Sequence, residues 1–457
     1  MLLTAIKEAL GLVRRPEPSH VQLPNEELYA TVAQFTRQQI KDDYKHDPWN
    51  QNFFLNCWEY VTAQEVLESY PWNVSLPFAD LCNARCTFCD SWLRGEGVMK
   101  LDEIERFVEV LRHARLIGIQ GHGEPLANPH IQPILSRIID VIDPRAEAYI
   151  ITNGVYLGSN LDLLLRARVR VFNISLNGTT EATHQKVMGL GEKAFRSIIS
   201  TIRKLIEIRD RRNVPLRVSI SMVLTADNFH EARDFVRLGH DLRVNLIQLR
   251  TLMPIAPPPD ARNWNDATWE TATLMPTGLN YHLLPPYLHP QFKTFAEQLR
   301  TEIARSSIPI EAYPDTWERP IFSPEVALHL EEKKPKIVMR EEAIADRTIR
   351  SAYKSSVKEV RGRGEFLYDV GDEGPNPYDR RPRFNCRFVY HNLNCTELSY
   401  RLIPCCYMAD VPGFKPVVFD GKVDFFDYWN SPAFVSLRRR LRNGPLFPAC
   451  KTCPNQG

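Results

Sequence analysis

The spacing of apolar positions along the chain changes at about residue 73. Before that point the strongest periodic run, 26–41, predicts a helix, and the aromatic-rich stretch 49–60 is expected to pack on the segments after it. Beyond residue 73, short apolar runs alternate with longer amphipathic segments, which is typical of βα units repeated around a parallel sheet. The predicted strands are 73–77, 116–120, 146–152, 169–176, 216–224 and 245–249, and the predicted helices are 101–114, 131–142, 160–166, 194–211 and 229–238.

The number of these units sets the predicted fold class. Six units over about 180 residues predict an α/β fold, a partial (βα)6 TIM-type barrel, smaller than the eight-unit barrel of about 250 residues. Residues 251–330 hold 12 of the chain's 34 prolines, which cannot continue a regular helix or a central strand. We therefore predict a helical N-terminal extension, the barrel core, a proline-rich insertion that covers the barrel mouth or cradles a substrate, and a small α+β cysteine-containing domain, over residues 1–72, 73–250, 251–385 and 386–457.

Composition and charge exclude several classes of protein. The 457 residues are 44% hydrophobic and 25% charged, and 57 basic against 55 acidic side chains leave a net charge of +2. Such a balance is typical of a globular protein and argues against a dedicated nucleic-acid partner. No run of about 18 apolar residues predicts a membrane helix, and Lys7 with Glu8 interrupts the N-terminal apolar stretch too early for a signal peptide. We expect a cytoplasmic protein that makes no membrane contact.

The ten cysteines are the most informative residues for chemistry. They fall into two tight groups, and only Cys57 lies elsewhere, where we expect a structural role. Clustered thiols in a large chain with no secretion signal indicate a reducing compartment and metal ligation. The groups are Cys82, Cys86 and Cys89 at the front, and Cys386, Cys395, Cys405, Cys406, Cys450 and Cys453 at the back.

The front group forms a C-x3-C-x2-C loop directly after the first predicted strand, with Phe88 before its last cysteine. Three thiolates on one loop can hold three corners of a [4Fe–4S] cluster and leave the fourth iron open. A structural zinc site needs a fourth ligand, and this loop has no histidine. The loop resembles that of the radical S-adenosylmethionine (SAM) superfamily. The resemblance implies that SAM chelates the open iron and is cleaved to a 5′-deoxyadenosyl radical, which abstracts hydrogen from a substrate.

Polar and glycine-rich segments follow the later strands of the predicted barrel. Gly121-His122-Gly123-Glu124-Pro125 resembles the family's "GGEP" element in a GxGEP form. Asn153 precedes a glycine and fits a turn as well as a ligand contact, and Asn228 and Gln248 also fit capping or core roles. The resemblance implies that the SAM-binding residues are Phe88, Gly121, Gly123, Glu124, Pro125, Asn153, Ser175, Asn177, Asn228 and Gln248.

The back group, taken alone, fits a zinc ribbon or an iron–sulfur site equally well. It resembles the SPASM/twitch extensions of radical SAM proteins, although Tyr400 stands where the family usually has glycine. The resemblance implies one auxiliary [4Fe–4S] cluster, and spacing favours Cys405 over Cys406 as its second ligand. Cys395 and Cys406 are then inert buried thiols, or one of them ligates the cluster or donates a hydrogen atom to a substrate radical. The predicted auxiliary ligands are Cys386, Cys405, Cys450 and Cys453.

These features favour a radical SAM oxidoreductase with two [4Fe–4S] clusters. The expected reductant is a flavodoxin or a ferredoxin-type electron donor, and the expected substrate is a small molecule such as a sugar, an aminocyclitol or a nucleoside. One alternative is a maturase that crosslinks, epimerises or dehydrogenates a ribosomally made peptide. Residues 1–72 lack the strand-rich pattern of a leader-binding domain, which weakens that alternative. A remote alternative is a non-catalytic metal-binding scaffold.

Overall fold

A computed structural model describes residues 24–89, 91, 97–225, 228–251, 292–312, 386–395, 398–403 and 417–444. The strands are β1 Asn73–Pro77, β2 Leu116–Gln120, β3 Glu147–Thr152, β4 Val169–Ser175, β5 Arg217–Leu224, β6 Leu246–Thr251, β7 Ile310–Ala312, β8 Asn392–Asn394, β9 Arg401–Leu402 and β10 Val417–Val418. The helices are α1 Glu26–Val32, α2 Arg37–Asp43, α3 Pro48–Val61, α4 Val108–His113, α5 Ile131–Val141, α6 Leu157–Arg166, α7 Glu181–Met188, α8 Glu192–Arg212, α9 Ala232–Leu242, α10 Phe292–Arg305, α11 Phe388–His391, α12 Phe425–Trp429 and α13 Pro432–Asn443. Short 3₁₀ turns span Asp102–Phe107, Pro125–Ala127 and Phe229–Glu231.

Eight parallel strands form one sheet in the order β7-β6-β5-β4-β3-β2-β1-β8. From β1 to β7 the spatial order follows the chain, as repeated βα units require. The predicted partial TIM-type barrel is therefore confirmed. Along β4 the side chains alternate, with Phe172 and Ile174 fully buried and Asn173 and Ser175 half-buried. This alternation separates an apolar helix-facing side from a more polar concave side.

The helices cover the sheet through apolar stripes at helical spacing. α8 buries one face and then ends at Asn213, whose φ of +48° is left-handed. Among the described helices, none has both the length and the apolar character needed to cross a membrane. The buried residues of α8 are Phe195, Ile198, Ile199, Ile202, Leu205 and Ile206.

The sheet extends beyond the predicted boundary at residue 250. β7 pairs with β6. α10 packs on α9 and on the 3₁₀ turn before it, where the rings of Phe229 and Phe295 lie 5.2 Å apart. Residues 291–308 contain no proline and lie between Pro290 and Pro309. A proline-free stretch of this length inside the proline-rich segment is the sequence signal for this added unit.

Two further differences concern helices. The run 26–41 is divided into α1 and α2, because Thr36 caps α2 in a capping box with Gln39. α7 was not predicted, although Thr180 caps its first turn and Gly189, with φ +61°, ends it. Both signals were present in the sequence, in a stretch too short for a clear apolar period.

The N-terminal helices and the C-terminal segment are interlocked. His391 lies between the Tyr29 hydroxyl and the Asn56 carboxamide oxygen, with its ring nitrogens 2.8 and 2.6 Å away. The buried Arg438 guanidinium donates to the carbonyl oxygens of Glu65 and Trp429 at 3.1 and 3.0 Å. Because β8 also pairs with β1, the described part of 386–444 shares its core with the barrel.

A buried carboxylate lies in α3 at this junction. Glu59 is 2% exposed and accepts hydrogen bonds from the Glu68 amide and the Ser69 hydroxyl. Burial raises the pKa of Glu59 to about 7, against the opposing effect of these hydrogen bonds. The folded state therefore holds a proton that the unfolded chain releases near its ordinary pKa of 4.5.

This carboxylate predicts a pH-dependent stability. Its folded pKa is raised, so its contribution is lost as pH increases from about 4.5 to about 7, by about 3 kcal/mol in total. We expect the melting temperature of the wild type minus that of Glu59→Gln to decrease as the pH is raised from 5 to 8. Differential scanning fluorimetry at both pH values measures this difference.

The pKa of the buried His391 is lowered, so its effect on stability changes with pH in the opposite direction. That effect is the same in both proteins and cancels in the comparison. Glu27→Gln, on an exposed position of α1, is the control, and an equal response in both variants would contradict the prediction.

Candidate functional site

The front cysteine loop lies at the carboxyl end of β1, between α7 and the segment after β2. On one side, the Arg85 and Thr87 amides donate to the carbonyl oxygens of Met188 and Val187, at 2.8 and 2.9 Å. These carbonyls belong to the last turn of α7, where no helical amide remains to bind them. The loop therefore completes the end of this helix and is fixed by it.

The segment after β2 holds the other side of the loop. The amides of Gly123 and Glu124 donate to the carbonyl oxygens of Ala79 and Leu81, both at 2.9 Å. A Cβ atom at Gly123 would lie 2.2 Å from the Leu81 oxygen, closer than any real contact. Glycine is required here because two backbones touch, so this residue shapes the cysteine loop directly.

Glu124 connects β2, β3 and the cysteine loop. Its carboxylate is 2% exposed and accepts from the Thr152 hydroxyl and the Asn153 amide, both at 2.7 Å, and from the Leu126 amide at 3.2 Å. Burial raises the pKa of Glu124 to about 7 although these donors lower it. Pro125 is buried and begins the 3₁₀ turn after it. These groups lock the segment in place.

Asn153 extends this connection into the cysteine loop. Its side-chain amide donates to the Asn83 carboxamide oxygen at 2.8 Å, and its own oxygen accepts from the Val155 amide at 3.1 Å. The side chain is therefore both a turn residue and a tie to the loop. Gly121 and Phe88 are half-buried in the same region.

Each thiol of the loop has its own neighbours. Burial raises the pKa of the Cys82 thiol to about 12, and the nearby Ala84 amide and Asn153 side chain act in the opposite direction. The Cys89 sulfur lies 3.0 Å from the Ser91 hydroxyl and 3.5 Å from its amide nitrogen. The Cys86 sulfur lies 3.8 Å from that of Met188. Donors aimed at sulfur stabilise thiolates, as they do around iron–sulfur clusters.

The donor set of the front loop, three thiols, fits an iron–sulfur cluster. A zinc ion draws four ligands around one point, whereas a [4Fe–4S] cube takes one thiolate at each of several irons. Three half-buried thiols on one pinned loop satisfy the second requirement.

Two of the expected SAM contacts are used by the fold itself. Asn177 is buried with φ +54°; its oxygen accepts from the Val223 amide, and its amide donates to the Met188 sulfur, both at 2.8 Å. Asn228 is fully buried; its oxygen accepts from the Thr225 amide, and its amide donates to the carbonyl oxygens of Asn177 and Val223. Both side chains therefore hold the turns that follow β4 and β5.

A chain of polar groups follows the concave side from β4 to β7. The Asn173 amide donates to the Gln248 oxygen at 2.6 Å, so this bond passes in front of β5. The Gln248 amide donates to Glu311 at 2.6 Å, and Arg250 pairs with the same carboxylate at 2.8 Å. Ser175 lies at the mouth, with its hydroxyl 3.4 Å from that of Ser221. The sequence analysis named Ser175 and Gln248, and it did not name their hydrogen-bonding partners Asn173, Ser221 and Glu311.

On β1, β2 and β3 the concave side carries a different set of residues. The hydroxyl oxygens of Tyr149 and Ser75 lie 3.0 Å apart and form a hydrogen bond that passes over Gly118. A Cβ atom on Gly118 would lie 2.5 Å from the Tyr149 oxygen, so glycine is needed for this crossing. Above it, Ile151 is 40% exposed although it belongs to a central strand. An exposed apolar side chain here indicates a lumen that is not filled by side chains.

The back cysteine group is described only in part. Cys386 is half-buried, and Cys395 is fully buried with its amide donating to the Ser75 carbonyl oxygen at 3.1 Å. Tyr400 has φ +52°, the left-handed conformation that favours glycine. Cys57 is fully buried in α3, as expected of a structural residue. Cys405, Cys406, Cys450 and Cys453 lie outside the described residues.

Part of the chain is similar in sequence to known proteins. Residues 76–239 match the family model described as the radical SAM superfamily. GTP 3′,8-cyclase of Clostridium perfringens (strain SM101 / Type A) is 28% identical over 192 residues, which cover 39% of this chain and 55% of the relative. GTP 3′,8-cyclase of Geobacter sulfurreducens is 29% identical over 216 residues, which cover 45% and 62%. The chain thus spans little more than half the length of these curated relatives.

Among solved structures, the crystal structure of Streptococcus suis SuiB bound to S-adenosylmethionine aligns with a TM-score of 0.49 and 13% identity. The alignment covers 91% of this chain and 84% of that one.

The contact at Gly123 predicts how the cysteine loop responds to one added methyl group. Gly123→Ala places that methyl group against the Leu81 carbonyl, so we expect at least a twofold loss of iron and sulfide bound after anaerobic reconstitution. Gly191→Ala is the matched control, since a Cβ there meets nothing within 4 Å. Equal iron content in the two variants would show that the loop does not depend on this contact.

Proposed function

We propose that this chain, whose residues 76–239 form a radical SAM superfamily domain, is an oxidoreductase that starts radical chemistry on a small polar molecule. The observation that carries the proposal is the three-cysteine loop, held at the barrel mouth by α7 and by the segment after β2. A loop tied on both sides presents its thiols in one fixed arrangement, which a cluster with one open iron needs.

In this proposal the cysteine loop holds a [4Fe–4S] cluster through Cys82, Cys86 and Cys89. Bound SAM would supply a 5′-deoxyadenosyl radical, the group that abstracts a hydrogen atom from the substrate. The hydroxyl and amide of Ser91 lie within hydrogen-bonding distance of the Cys89 sulfur and would stabilise its negative charge. The protein thus supplies orientation and electrostatics, and the cofactors supply the difficult chemistry.

The expected SAM contacts then take two roles. Ser175 and Phe88 are proposed to touch SAM, since Ser175 faces the mouth and Phe88 lies in the cysteine loop. Gly121 and Gln248 border the same opening. Pro125 begins the 3₁₀ turn that follows Glu124. The remaining expected contacts hold these groups in position through the hydrogen bonds described above, and they are Gly123, Glu124, Asn153, Asn177 and Asn228.

The concave wall supports a small polar substrate. It combines an exposed apolar side chain, Ile151, with the chain of hydrogen bonds that runs from Asn173 to Arg250. The buried Asn173 oxygen has no partner in the described structure, so a ligand hydroxyl or amine would satisfy it. The relatives are named GTP 3′,8-cyclases, and GTP contains a nucleoside. Of the three expected substrate classes, sugars, aminocyclitols and nucleosides, these names favour a nucleoside-like molecule.

An auxiliary cluster belongs to the same proposal. Its ligands are Cys386, Cys405, Cys450 and Cys453, in the pattern of a SPASM/twitch domain. Cys386 immediately precedes the turn into α11 and β8, and β8 pairs with β1. Thiols that hold iron need a reducing compartment, which favours the cytoplasm.

Substitution of single cysteines tests both sites. After anaerobic reconstitution we expect about eight irons per chain, four for each cluster, and 5′-deoxyadenosine formation when dithionite is added. Cys86→Ala should lower that formation at least 100-fold, because the loop loses one of three cluster ligands. Cys450→Ala should retain it while about four irons are lost.

Cys57→Ala is the control for general damage, since Cys57 is fully buried in α3 and belongs to neither proposed set of ligands. Zinc in place of iron together with no SAM cleavage would contradict the proposed function. Equal residual cleavage in Cys86→Ala and Cys450→Ala would contradict the division into two sites.

A further inference from the structure

α7 connects the front cysteine loop to the turn that follows β5. At its end, the carbonyl oxygens of Val187 and Met188 accept from the Thr87 and Arg85 amides at 2.9 and 2.8 Å. The helix has eight residues, so its two ends lie about 12 Å apart. A contact that fixes the start of α7 therefore also affects the position of the loop.

One buried carboxylate binds the start of α7. Glu231 ends the 3₁₀ turn after β5 and is 8% exposed. Its Oε2 atom accepts from the amide and from the hydroxyl of Thr179, at 2.6 and 2.7 Å. Its Oε1 atom accepts from the Thr183 hydroxyl and, at 3.5 Å, from the Thr180 hydroxyl. Both oxygens thus bind donors from the first turn of α7 or from the two residues before it.

The donors at this contact require a carboxylate. Thr179 presents two of them to one oxygen, and Thr183 presents another to the second oxygen. An ionised carboxylate accepts at both oxygens, whereas a carboxamide accepts at one atom and donates at the other. Negative charge is also favourable at the start of a helix, and hydrogen bonds to a charged group are stronger than neutral ones.

The turn after β5 reaches the other end of α7 as well. The Asn228 side-chain amide donates to the Asn177 carbonyl oxygen at 3.0 Å, and the Asn177 side-chain amide donates to the Met188 sulfur at 2.8 Å. That sulfur lies 3.8 Å from the sulfur of Cys86. This turn therefore holds α7 at both ends, and Glu231 supplies the charged contact.

We propose that Glu231 is a positioning residue for the front cysteines, because it fixes the start of α7 and the end of α7 fixes the cysteine loop. This rests on the proposed function, which places a [4Fe–4S] cluster on that loop. The effect of Glu231 on the thiols passes through the helix. Loss of the carboxylate should loosen the loop without removing a thiol or an expected SAM contact.

Hydrogen exchange of the full chain, followed by mass spectrometry before iron and sulfide are added, tests this positioning. The Arg85 and Thr87 amides are the probes, because each is bonded to α7. We expect Glu231→Gln to raise exchange in the peptide that contains them about tenfold, since the helix that protects them opens more often. A role confined to the start of α7 would leave these amides at the wild-type rate.

Glu181→Gln is the matched control. It makes the same change from carboxylate to carboxamide within the first turn of α7, but the Glu181 side chain is 38% exposed and pairs with Arg196 at 2.8 Å. A surface ion pair contributes little to stability, so we expect less than about a twofold change in loop exchange. A peptide from α5 is the internal reference for general loss of stability.

Thr183→Val removes one donor to Glu231 and keeps the shape of the side chain. Alone it should raise loop exchange at least about threefold. Combined with Glu231→Gln it should add less than it does alone, because the two residues act through one contact. If Glu231→Gln does not fold, the Thr183→Val result decides the matter.

Three results would overturn the proposal: wild-type loop exchange in the variants of this contact, an equal rise in Glu181→Gln, or an equal rise in the α5 peptide. After reconstitution, a chelator should remove iron several-fold faster from Glu231→Gln than from the wild type, and equal rates would also count against it. If the wild type forms no 5′-deoxyadenosine with dithionite, the proposed function fails, while the exchange data from the metal-free chain still test Glu231.

Discussion

Backbone contact between the cysteine loop and its two neighbours is the constraint on which the site depends. The loop has no regular secondary structure, and its amides are bound by the end of α7 on one side, while its carbonyls accept from the segment after β2 on the other. Gly123 makes the second contact possible, because any side chain there would strike the Leu81 carbonyl. The positions of the three thiols therefore follow from hydrogen bonds made by neighbouring backbone atoms.

The same principle explains why several polar residues near the barrel mouth are buried and fully used. Glu124 receives three donors from β3 and its own turn, and Asn228 binds two carbonyls and accepts from an amide. Turns after parallel strands leave many backbone groups without partners, and buried groups of this kind must be satisfied. Carboxylate and carboxamide side chains do this, which makes them necessary to the site without direct contact to a ligand.

The remaining chain supports this mouth from outside. The N-terminal helices and the segment 386–444 share buried contacts through His391 and Arg438 and attach to the barrel at β1. β1 thus has the barrel on one edge, β8 on the other, and the cysteine loop at its end. The concave wall, with its charged pair of Arg250 and Glu311, is completed only by β7, which comes from beyond the proline-rich stretch.

The sequence by itself determined the order of the barrel strands and the spacing of the three cysteines that follow the first of them. Apolar alternation and amphipathic spacing are local properties, and they located β1 to β6 to within two residues; the cysteine spacing likewise needs no distant information. Tertiary structure decided which residues surround the loop. The Met188 sulfur reaches Cys86, and Glu311 reaches Gln248, from elements 102 and 63 residues away. The side-chain amides of Asn177 and Asn228 could contact a ligand or stabilise a turn. Only the placement of nearby backbone groups shows which of these two roles each side chain has. Contacts between distant residues depend on how the strands are ordered and closed, and spacing along the chain does not contain that information.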